Sequence, residues 1–74
     1  MLKQRDLTLT FGNMAERISR GLWMVRDDAN AVLVMFERGV PFMHTMDQGT
    51  HSTDWFEVAS TDDIARALWR AETR

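Results

Sequence analysis

The sequence predicts an α+β domain, a small antiparallel sheet of three to five strands packed by a C-terminal helix and a short N-terminal one. Three observations carry this. Residues 22–46 hold apolar runs rich in β-branched residues and separated by turn residues. Residues 61–72 place apolar side chains at helical spacing behind an acidic start. Residues 7–11 alternate apolar with polar, as a half-buried strand does. At 74 residues the chain is expected to form a single domain spanning 1–74.

Taken in order, Leu7-Thr8-Leu9-Thr10-Phe11 reads as a strand, with a β-branched threonine at each polar position. Gly12-Asn13 breaks it. Asn13 is suited to cap a helix, with Glu16 three residues on in the capping-box position. Met14 and Ile18 would then share one face of a helix over about 14–20, stopped by Gly21.

The middle segment, LWMVRDDANAVLVMFERGVPFMHTM, is the most informative stretch of the chain. It reads as strands over 22–26 and 31–37 joined by the turn Asp27-Asp28-Ala29-Asn30, then a third strand over 41–46. Glu37-Arg38-Gly39 suits a three-residue hairpin loop with Gly39 in the left-handed conformation. A second reading stays open, a mainly helical fold with a hairpin. There Asp28 caps a helix through Arg38, with Gly39 and Pro41 as its stop.

Residues 47–54 are polar and contain Gly49, hence a loop; Trp55-Phe56-Glu57-Val58 reads as a short strand. Ser60 is placed to cap the last helix, with Asp63 at the capping-box position and Asp62 and Asp63 complementing the helix dipole. Ile64, Leu68 and Ala71 form its apolar face, and the helix is expected over about 61–72.

The strand reading has a functional consequence, because apolar residues in 22–46 sit side by side. If Phe36 pairs with Pro41, one face carries Val32, Val34, Phe36 and Met43, and the other Leu33, Met35, Phe42 and Met46. If Phe36 pairs with Val40, membership changes, yet both faces remain apolar. A chain this short buries only about 60% of its unfolded surface. Either two helices cover both faces, as in buried strands generally, or apolar area remains for a homodimer or a target protein. Methionine adapts to partner surfaces, and tryptophan is enriched in interface hot spots. Trp23, Met24, Met35, Met43 and Trp55 are therefore the expected interface residues.

Charge narrows the partner. The net charge is −2 and the isoelectric point about 5.5, which argues against a nucleic-acid binder. Residues 1–21 carry four bases (Lys3, Arg5, Arg17, Arg20) against two acids, whereas residues 22–60 carry two bases against six acids. An acidic middle favours a protein target with a basic surface.

Other constellations are weak. His44-Thr45-Met46-Asp47 and His51-Ser52-Thr53-Asp54 repeat an H-x-x-D unit, whose groups would share a face on a helix and suit zinc. Gly49 and its polar neighbours argue for a solvated loop instead. Ser52, His51 and Asp54 have the residue types of a catalytic triad, but neighbours in one loop seldom reach its geometry. Asp27-Asp28 and Asp62-Asp63 read as a turn and a helix start.

No catalytic residue, cofactor or metal is expected. There is no cysteine and no apolar run near the ~20 residues of a membrane span, and no signal peptide is expected, because residues 1–5 are not followed by an apolar stretch. A cytoplasmic protein follows as the expectation. The expected function is non-enzymatic protein binding, by an inhibitor or adaptor that occludes its target. Phage and mobile-element inhibitors of host defence are often built this way, a likeness of size and composition alone. The alternatives are a nucleic-acid-associated regulator, using Lys3, Arg5, Arg17, Arg20 and the stripe Arg66, Arg70, Arg74, or a small metal-dependent enzyme around His44 and His51.

Overall fold

A computed structural model describes residues 1–28, 30–45 and 55–72, with side chains for all of these but 45 and 69–72. The elements are α1 (Gln4–Phe11), β1 (Ala15–Ser19), β2 (Leu22–Arg26), β3 (Ala31–Glu37), β4 (Val40–Thr45), β5 (Phe56–Glu57) and α2 (Thr61–Glu72), with a 3-10 turn at Gly12–Met14. The strands form a five-stranded antiparallel sheet in chain order. This is the α+β class read from the sequence, not the helical alternative.

The N-terminal third differs from expectation. Residues 7–11 are not a strand but the body of α1. Asp6 decides this locally, since its Oδ2 accepts the Lys3 N–H at 2.8 Å while its own N–H donates to the Lys3 carbonyl at 2.9 Å. That closes the first helical turn and places a carboxylate at the positive end of the dipole. Leu7 and Phe11, four apart, then turn to the core, and Leu9 between them is 79% exposed.

Residues 15–19, expected inside a helix of about 14–20, are instead strand β1. Met14 and Ile18 are not core residues, being 37% and 48% exposed. Pairing with β2 gives this segment backbone partners that outweigh the helix preference of Ala, Glu and Arg. β1 is a guarded edge. Its register shifts between Arg17 and Ser19, and it carries Glu16 and Arg17, a bulge and charges that resist further strand addition.

The hairpins at the centre follow the sequence closely. β2 and β3 have the bounds expected. The turn between them is held by the Asn30 N–H donating to Asp27 Oδ1 at 2.7 Å and the Asp27 N–H donating to the Asn30 carbonyl at 3.0 Å. Phe36 pairs with Pro41 and Glu37 with Val40, so the next loop is the two residues Arg38 and Gly39. Both have positive φ, 52° and 80°. This is a type I′ turn, whose twist matches that of the strands, rather than the three-residue loop expected. β4 accordingly starts at Val40. Met46 lies outside the described residues.

Pro41 sits inside the sheet without disrupting it. Phe36 directs its N–H to the Gly21 carbonyl at 2.7 Å, away from β4, so Phe36 and Pro41 form a non-hydrogen-bonded pair. The Pro41 carbonyl instead accepts the Val58 N–H at 2.9 Å. The missing proline donor therefore weakens only the link to the two-residue β5.

The core lies on one side of the sheet. Leu2, Leu7, Val25, Val32, Val34, Val58, Ile64 and Leu68 are buried, with Phe11, Ala15, Trp23, Phe36, Met43 and Ala67 packed around them. Each fully buried branched side chain contributes about 1.5–3 kcal/mol relative to exposure. Both helices supply residues to this one cluster. α2 starts as expected, with Asp63 Oδ2 accepting the Ala59 N–H at 2.9 Å and the Ser60 N–H at 3.3 Å.

Candidate functional site

The register assigns every strand residue to a face. Val25 opposes Val32 and Trp23 opposes Val34, which opposes Met43; these face the helices. The residues between them face the other way and form cross-strand rows. One row is Glu16, Met24, Leu33 and His44, which Trp55 extends by register; the next is Ser19, Leu22, Met35, Phe42 and Glu57. Arg26 with Ala31 borders this face at one end, and Glu37 with Val40 at the other.

Four interstrand gaps of ~4.8 Å and three row steps of ~6.8 Å make this face about 19 Å by 20 Å. Its apolar residues are Leu22, Met24, Leu33, Met35 and Phe42 at the centre and Val40 at one border. None of these is fully buried, all being partly buried, whereas Val25, Val32 and Val34 on the opposite face are at most 1% exposed. Among the described residues, both helices lie on the other side. The expected covering of this face by a helix bearing Met14 and Ile18 does not occur. Its rim carries Glu16, Glu37 and Glu57 against Arg26, all exposed.

The expected interface residues divide between the faces. Met24 and Met35 lie on the open face. Trp55 borders it, its ring 5.3 Å from that of His44 and tilted by 52°. Trp23 and Met43 lie on the covered face. There the Trp23 indole N–H donates to Gln4 Oε1 at 2.8 Å and ties β2 to α1. Leu22, Leu33, Phe42 and His44 complete the open face. The signal for three of them was positional, since Leu22 and Leu33 share the parity of Met24 and Met35, and Phe42 follows once Phe36 pairs with Pro41.

The remaining candidates have structural roles where they are described. His44 is a strand residue beside Trp55, not part of a helical H-x-x-D unit. His51, Ser52 and Asp54, with Asp47, lie outside the described residues. Among the described residues, no group of three or more His, Cys, Asp or Glu side chains is placed to hold a metal ion. Asp27 holds its turn, and Asp63 the start of α2. Lys3, Arg5, Arg17, Arg20 and Arg66 are exposed along α1, β1, the turn after it and α2. The side chains of Arg70 and Arg74 lie outside the described ones. No helix among the described residues is long and apolar enough to cross a membrane.

Compared with protein-family models, curated proteins and solved structures, the chain matches none of them.

Proposed function

We propose that the protein is a non-enzymatic protein-binding module that docks a target on the open face of its sheet. It acts as a stoichiometric inhibitor or adaptor, by occluding the surface it covers. The observation that carries this reading is the apolar field of Leu22, Met24, Leu33, Met35 and Phe42, with Trp55 at its border and no helix of the described residues upon it. Contiguous apolar surface of this kind marks interaction sites. An acidic rim selects a target whose apolar patch is bordered by basic residues, and quickens encounter with it.

Affinity capture from cells that make the protein, with Met35→Asp, Trp55→Ala and Leu9→Asp beside the native chain, tests the reading. Leu9 lies on α1, away from the open face. A partner retained in near-equal amounts by the native chain and by Leu9→Asp, and reduced at least ~10-fold by the other two, is the expected result. A partner retained equally by all four chains would remove the open face from the function.

A further inference from the structure

Among the described residues, the two ends of the sheet differ in charge. At one end lie Arg26 on the open face and the turn bearing Asp27 and Asp28; at the other lie Glu37 on the open face and the turns bearing Arg20 and Arg38. All of these but Asp27 are exposed. We infer that the open face pairs with the open face of a second copy of this chain, about a two-fold axis perpendicular to the strands. This rests on reading the open face as a docking surface and names the partner that occupies it when no target is bound.

Two sheets packed face to face keep their strands within about 30° of alignment, which leaves two ways to build a dyad. With the axis parallel to the strands, like ends meet. Glu37 of the central strand then lies over its own counterpart, and each turn lies over the end that carries its own charge. With the axis perpendicular to the strands, the ends exchange. Each strand then lies antiparallel over its own counterpart. Arg26 of one copy comes over the start of β2 in the other, between Arg20 and, one strand over, Glu37, while the Asp27-Asp28 turn comes over the end carrying Arg20 and Arg38, each contact occurring twice.

The apolar rows match under the same operation. The row of Met24, Leu33 and His44 faces the row of Leu22, Met35 and Phe42, and Glu16 faces Ser19. Neither of the two remaining glutamates meets another acid, because Glu57 falls opposite Trp55. The charges thus oppose one dyad and support the other, while the apolar field supplies the buried area. A target must displace the second copy, so the free protein holds its docking surface covered.

The test is the mass of the purified chain by light scattering over a wide concentration range, with circular dichroism to confirm folding of each variant. The native chain should rise from 8.6 kDa toward twice that mass. Arg26→Glu and Glu37→Arg, each placing like charges across the interface, should each weaken association about 10-fold or more. The double variant should restore it, and rising salt should weaken the native dimer. A native mass of 8.6 kDa at every concentration overturns the inference. So does a dimer indifferent to both charge reversals or to Met35→Asp. A monomer whose target capture is still lost in Met35→Asp would sink self-pairing alone and leave the docking face standing.

Discussion

Leu33 and Val34 are neighbours in β3 on opposite faces, and aspartate at each tests the one-sided core directly. Val34 is fully buried under the helices. Val34→Asp forfeits about 1.5–3 kcal/mol of valine burial. It also leaves a carboxyl group in an apolar core, at a cost of roughly 2–7 kcal/mol even when neutral. A domain of 74 residues has a folding stability of about 4–11 kcal/mol at ~0.05–0.15 per residue. The substitution removes most or all of that, and the chain should be unfolded at room temperature. Aspartate at Leu33 keeps its water. It loses about 1 kcal/mol of strand preference and a comparable amount of partial burial, which lowers the melting temperature by roughly 8–16 °C. Circular dichroism melts of dilute protein, with urea titrations alongside, read both changes. If both variants unfold, both faces are buried and the open face does not exist. If Val34→Asp folds and Leu33→Asp does not, the register is one residue out.

Four further outcomes follow from the turns and caps. Gly39→Ala, in a left-handed turn with open space where a Cβ would lie, should cost about 1–2 kcal/mol. Gly21→Ala should cost distinctly more in the same denaturation experiment, because its Cβ would lie 2.9 Å from the Phe36 carbonyl oxygen. Arg38→Asn should raise the denaturation midpoint, since Arg38 holds a φ of 52° that asparagine adopts more readily. Asp6→Ala should destabilise by about 0.5–2 kcal/mol and accelerate amide exchange within α1, because it releases the Lys3 N–H.

How legible the fold was depended on how much of each segment is buried. β2, β3 and α2 declare themselves because alternating or helically spaced residues of each enter the core. Val25, Val32 and Val34 set the strand parity, and Ile64 and Leu68 the helical one. β1 has no such face. Its residues after Ala15 are all exposed, so Met14 and Ile18 suggested a helical period that nothing buries. In residues 7–11 two periods coexist, since Leu7 and Phe11 fit both a strand and a helix. Asp6, outside the alternating stretch, decides between them. The open face was visible as an excess of apolar residues, but its membership needed the register. Trp23 lies on the covered face, where its indole N–H donates to Gln4, and only the register shows this.

The most direct measurement of the central claim is a methionine oxidation footprint, because the thioethers sample both faces and the surface. In dilute protein, Met24 and Met35 should oxidise faster than Met43, which packs against the core. At high concentration, or with a captured target, Met24 and Met35 should become protected while Met14, 37% exposed and off the face, reacts unchanged. Unchanged oxidation of Met24 and Met35 under both conditions would contradict the assignment of the open face as the docking surface.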